Sequence, residues 1–163
     1  MAVMKFFRQF KDLGISGPFT RWYDKNTREY RLAEMQGYVT FVQGNVSAMP
    51  FEDSIFDFIV CSAAFKNFRE PVMAIREMYR VLKNNGIALI LDMNRNAPKE
   101  MIEAEAAKTS RPGFERWFMK TTFVHLCKSA YTKDEFEKII KQTSFNKTDI
   151  KEMGIGLSVY IYK

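Results

Sequence analysis

Few side chains in this sequence have the type and spacing to do chemistry. Cys61 and Cys127 form no CxxC pair and are too few for a disulfide framework. His125, inside "FVHLCK", is the single histidine, so a structural zinc site or a Ser/His/Asp triad has almost nothing to be built from. A lone histidine in such a run reads as a packing residue. Two closely spaced glycines, Gly154 and Gly156 in "GIG", suit a turn better than a phosphate cradle. No residue stands out as a general base. The charge of +6 and the pI near 9.3 permit an anionic partner. The bases alternate with acids, however, as in "KDEFEKIIK", which is the pattern of solvated helix faces. No nucleic-acid-binding motif accompanies the charge, so a nucleic-acid partner is not expected.

These residues must be placed by elements. At 163 residues, 47% hydrophobic and 27% charged, the chain fits a single globular domain, 1–163. We divide it into a helical segment, 1–37, and an α/β core, 38–163. The opening "MAVMKFFRQFKDLG" predicts an amphipathic helix with Val3, Phe6, Phe7, Phe10 and Leu13 on one face. It lacks the long apolar core of a secretory signal, and no run in the sequence approaches bilayer length. A cytoplasmic protein without integral membrane association is the expectation.

A second helix is predicted over Thr27–Gln36, and "YVTFVQG" then reads as a strand. "IFDFIVCSAA" is nearly continuously apolar, as an interior strand covered on both faces would be. "REPVMAIREMYRVLKNNG" predicts a helix, with Pro71 in its first turn and Val72, Ile75, Met78 and Leu82 at helical spacing. Asn85-Gly86 supplies its stop, and "IALILDM" is a third strand, so the unit is a right-handed βαβ crossover. Helices follow near Pro98–Lys108 and Phe114–Lys128. Thr132 and Glu135 form a capping box for another, running to about Gln142. "NKTDIKEMGIGLSVYIYK" predicts an antiparallel hairpin turning at Gly154–Gly156.

Ligand sites in open parallel sheets lie outside the carboxyl ends of the strands. Asp92, at the exit of "LILDM", is well placed by that rule, and Met93, Asn94 and Arg95 could form part of an acceptor pocket beside it. Lys66 and Lys99 could meet an anionic acceptor, although a solvated lysine is the plainer description of each.

The run "FVQGNVSAMPFEDSIFDFIVCSAAFKNFREPVMAIREMYRVLKNNGIALILDMN" resembles the second half of class I S-adenosylmethionine-dependent methyltransferases. It is most similar to the small-molecule branch that includes the ubiquinone/menaquinone methyltransferases. The resemblance implies a Rossmann-like sheet, S-adenosylmethionine as cofactor and a small hydrophobic acceptor. It places Asn45 at the adenine amine, Val46 and Met49 along the adenine, and Tyr23 over the methionine end. Ser62 to Phe65 match the rim where methyl group and acceptor meet, with Ser62 counted among the cofactor contacts and Phe65 joining Lys66, Asp92 and Asn94 as the candidate acceptor residues. Asp57 matches a strand-opening "FD" at the opposite end of the sheet.

One element of the family pattern is missing. A strand ending in a glycine-rich turn, and a second ending in a ribose-binding acid, should separate Gln36 from Val39. On the order of 60 residues are lacking there. A truncated sheet of about five strands, three parallel plus the hairpin, is expected, with lost or impaired cofactor binding. The alternative is a non-catalytic scaffold or dimerisation module. The loss also strips a neighbour from "FDFIVC". Either Thr40–Gly44 pairs directly with Phe56–Ser62, or a second copy covers the edge in a homodimer.

Overall fold

The computed structural model describes residues 3–5, 42–109 and 112–163, with residues 3–5 as backbone alone. The chain divides into two compact units, Met1–Phe6 with Val46–Lys163, and Phe7–Asn45; residues 42–45 are the described part of the second.

The first unit is built on one five-stranded sheet: four full strands and a three-residue edge strand. The strands are β1 (Val3–Lys5), β2 (Phe56–Ser62), β3 (Leu82–Met93), β4 (Lys147–Met153) and β5 (Gly156–Tyr162), in the order β1-β2-β3-β5-β4. β1, β2 and β3 run parallel, while β5 is antiparallel to both β3 and β4. Among the described residues four helices accompany it: α1 (Pro71–Val81), α2 (Lys99–Thr109), α3 (Phe114–Ser129) and α4 (Lys133–Ile140). The fold class is therefore the expected truncated Rossmann-like sheet.

The edge strand is not the expected one. Residues 42–44 have irregular backbone, and Thr40 and Phe41 of the expected Thr40–Gly44 strand lie outside the described residues. Among the described residues Val3–Lys5 borders β2, pairing Val3 with Phe58, Met4 with Ile59 and Lys5 with Val60. This also corrects the helix expected to begin at Val3; Phe6 to Leu13 lie outside the described residues. An unfilled row of backbone donors and acceptors on β2 outweighs local helical periodicity, because ladder bonds are satisfied wherever an extended segment can reach.

α1 forms as its spacing demands. Pro71 sits in the first turn, and Ala74, Ile75, Met78 and Val81 are buried. It ends at Val81, four residues before the expected Asn85-Gly86 stop, and Leu82 already pairs with Phe56. Asn85, at φ 64°, and Gly86 instead shape an irregular entry into β3, where a Cβ on Gly86 would lie 2.8 Å from the Lys83 carbonyl oxygen.

The main core joins Ile59, Cys61, Ala88 and Ile90 of the sheet to Ile75 and Met78 of α1 and Phe136 of α4. A smaller cluster of Ile102, Cys127 and Ile155 seats α2 and α3 beside the hairpin turn. That turn is where glycines were expected to act: Gly154 has φ 60°, and a Cβ on Gly156 would lie 2.9 Å from the Asp92 carbonyl oxygen. The outer strand, β4, carries Lys147 and Lys151 over the rings of Tyr162 and Tyr160. Charged side chains of this kind discourage edge-to-edge association.

Candidate functional site

The carboxyl ends of β2 and β3 lie side by side, with Ser62 in register with Leu91. From β2 the chain passes through Ala63 and Ala64 into a 3₁₀ turn at Phe65–Asn67. From β3 it passes through Asp92, Met93 and Asn94. Phe65 is fully buried, against the rings of Phe68, Tyr131 and Phe136. That aromatic nest fixes the 3₁₀ turn to α4 and brings Lys66 over Asp92.

Lys66 and Asp92 form an ion pair, Nζ to Oδ1 at 3.0 Å, with side chains only 7% and 2% exposed. Desolvating two charges is tolerable only when their remaining hydrogen-bonding capacity is met. Here it is: Asp92 Oδ2 accepts from the Lys66 backbone N–H at 2.9 Å, and Oδ1 from the Met93 N–H at 2.8 Å. Lys66 Nζ also donates to the Ala63 carbonyl at 2.9 Å. Beneath them, burial first and then the Asp92 charge push the Cys61 thiol up to about 12, so it is inert as a nucleophile.

Asn94 is buried at 2% exposure, its side-chain oxygen accepting from the Asn96 N–H and its own N–H donating to Ile155. Arg95 Nε donates to the Ala130 carbonyl, and its guanidinium pairs with Glu135 at 2.8 Å. Ser62 is half-buried at the rim, while Lys99 and His125 are exposed. Val46 and Met49 belong to the main core, at 6% and 4% exposure. Asn45 is exposed and belongs to the other compact unit, and Tyr23 lies outside the described residues. Asp57 meets Lys83 at the opposite end of the sheet, as its strand-opening position implied. Among the described residues no cluster of three or more His, Cys, Asp or Glu could hold a metal ion.

A second constellation went unread in the sequence. Arg80, on α1, donates to both Glu77 oxygens at 2.8 Å, to Asp53 at 2.7 Å, and to the carbonyls of Phe51 and Met49 at 2.7 and 2.9 Å. Glu77 in turn accepts from the Met49 N–H at 2.7 Å. The pair hems the loop from Met49 to Ser54 onto the helix. Its signal was present as the i,i+3 spacing of Glu77 and Arg80.

Against known proteins, a family model described as "Methyltransferase domain" matches residues 5–90, more than half of the chain. The chain belongs to the methyltransferase domain family. A run of 59 residues is 44% identical to the ubiquinone/menaquinone biosynthesis C-methyltransferase UbiE of Citrobacter koseri, covering 36% of this chain and 24% of that protein. The enzyme of the same name from Yersinia pestis is 42% identical over 59 residues. The match thus spans about a quarter of the curated relatives' length. Among solved structures, a SAM-dependent methyltransferase from Aquifex aeolicus aligns with a TM-score of 0.58 at 18% identity, over 82% of this chain and 60% of that one. The plantazolicin methyltransferase BamL, solved with a triazolic desmethylPZN analog and SAH, aligns at a TM-score of 0.59 and 15% identity, over 80% of this chain and 62% of that one. At such identities the structural likeness concerns the fold. The ubiquinone-type branch of class I methyltransferases, expected from "FVQGNVSAMPF" to "LILDMN", is the one that the curated relatives represent.

The family implies S-adenosylmethionine, and the described residues of this methyltransferase-family chain do not fit it. A cradle needs glycines for close backbone approach and free acceptors for the ribose hydroxyls. None of the eight glycines forms a Gly-x-Gly-x-Gly turn. Met49, set along the adenine by the resemblance, commits its N–H to Glu77 and its carbonyl to Arg80. Among the described residues no helix is long and apolar enough to cross a membrane.

Proposed function

We propose that this chain is an S-adenosylmethionine methyltransferase-family protein in which cofactor binding is lost or severely impaired. The observation that carries the reading is the engagement of Met49, which the resemblance sets along the adenine: its N–H is spent on Glu77 and its carbonyl on Arg80. The lack of a glycine-rich turn between Gln36 and Val39 agrees with it. The acceptor class implied by the family branch is a small hydrophobic molecule, and the half-buried, charge-neutral rim suits such a molecule better than an anion. Isothermal titration with S-adenosylmethionine tests the reading. No heat at millimolar cofactor is expected; saturable binding at micromolar concentration would overturn it.

A second reading, a methyltransferase-derived dimerisation module, is favoured by the shortness of β1. Among the described residues it pairs with three of the seven residues of β2, and the remaining ladder positions are those that a second chain would take. Light scattering after size exclusion decides: a mass of one chain at all concentrations removes this reading.

A further inference from the structure

The turn that leaves β2 is one an L-residue resists. Ala63 holds φ at 55°, in the left-handed region where a Cβ crowds the neighbouring carbonyl. Asn85 and Ser54 also have positive φ, but both carry short polar side chains that can bond the local backbone. Alanine brings no such help, so its conformation is held from outside. Its N–H donates to the Leu91 carbonyl at 2.7 Å, extending the β2–β3 ladder one residue past Ser62. Its carbonyl accepts from Lys66 Nζ at 2.9 Å. The same ammonium is anchored on Asp92 Oδ1 at 3.0 Å, while Oδ2 takes the Lys66 N–H. Ala63, Lys66 and Asp92 thus close a ring of hydrogen bonds at the end of the parallel strands, and both charged side chains are nearly sealed from water.

Charge neutralisation alone would not need this arrangement, because a buried pair can often be exchanged for apolar residues of similar volume at little cost. What an apolar pair could not do is grip the Ala63 carbonyl. We infer that Lys66 and Asp92 are positioning residues that keep Ala63 left-handed, and so fix the path of residues 62–65. This is the rim where open α/β sheets take their ligands. The device operates whether or not the cofactor binds, so it stands or falls separately from the proposed function.

The test uses the whole chain, isotope-labelled, and follows the backbone amide and carbon resonances of residue 63. The double variant Lys66→Met/Asp92→Asn removes both charges without stranding a buried carboxylate. With the clamp gone, the residue 63 amide should exchange about tenfold faster, the factor corresponding to the cost of a left-handed L-residue. The carbon shifts of Ala63 should leave the left-handed range. Adding Ala63→Gly should restore slow exchange, since glycine takes positive φ without a clamp. A pair that merely packs its charges would show no such suppression. Unchanged exchange in the double variant overturns the inference, as does a triple variant that exchanges as fast as the double. Should the double variant fail to fold, adding Ala63→Gly should recover a folded chain, since glycine takes positive φ without a clamp; a triple variant that fails to fold as the double does refutes the clamp.

Discussion

Replacing Arg80 with methionine isolates the electrostatic work of the α1 constellation, since the new side chain keeps most of the aliphatic stem. Five hydrogen bonds are lost. The one to Asp53 counts for little, because that carboxylate is 75% exposed and screened. The paired bonds to Glu77, whose side chain is 16% exposed, join a charged donor to a charged acceptor. Bonds to charged groups contribute about 1.5–3 kcal/mol each when shielded, and the partial exposure of Arg80 cuts that by roughly half. With two carbonyls also losing their donor, a loss of about 3 kcal/mol is expected.

The pH dependence gives a second, independent reading. Hydrogen bonding to Arg80 holds the Glu77 carboxyl below its ordinary 4.5, against the opposing effect of burial. A depressed acid contributes stability that is present above the unfolded-state value and is lost as pH falls through the folded one. The wild-type chain should therefore lose stability below about pH 5, and Arg80→Met should lose less over the same interval. Urea midpoints at neutral pH and on the acid limb measure both, with amide exchange at Phe51, Ser54 and Ile55 reporting the loop. A loss under about 1 kcal/mol, with those amides as protected as before, would refute the assignment.

Gly86→Ala should destabilise by about 2 kcal/mol or more, because the new Cβ would meet backbone oxygens of Lys83 at 2.8 Å and Asp57 at 3.2 Å that cannot move aside; thermal melting checks it. Thr132→Ala removes one half of the capping box on α4 and should cost about 1 kcal/mol, with Thr132→Ser close to wild type in urea unfolding. Cys61 should resist maleimide near neutral pH in the folded chain and react promptly in denaturant. Its raised value also predicts an alkaline effect. The folded thiol stays protonated between 9.0 and about 12 while the unfolded one ionises, so stability falls as pH rises through that window. The loss approaches about 4 kcal/mol at its upper end, and Cys61→Ala should flatten that limb.

Elements written in a short window were legible in advance. α1 and α4 followed from apolar spacing and the Thr132–Glu135 capping box, and α3 from Phe114 onward appeared within a residue of its expected end. The apolar runs of β2 and β3 and the Gly154 turn were legible for the same reason. The site was less so. Ala63 gives no hint of positive φ, since alanine is not a turn residue, and nothing local to Lys66 says that its charge is spent 26 positions away.

By itself the sequence determined the family, the βαβ order and the lack of a glycine-rich turn, because motifs and hydrophobic periods are properties of adjacent residues. Tertiary structure alone decided that Val3–Lys5 borders β2 and that the Lys66 and Asp92 charges are spent on one another. It also decided that Met49 answers to Glu77 and Arg80. Ladder bonds and buried ion pairs join residues distant in the chain. The partner of each is chosen by which unsatisfied group the fold brings near, and no local pattern records that choice.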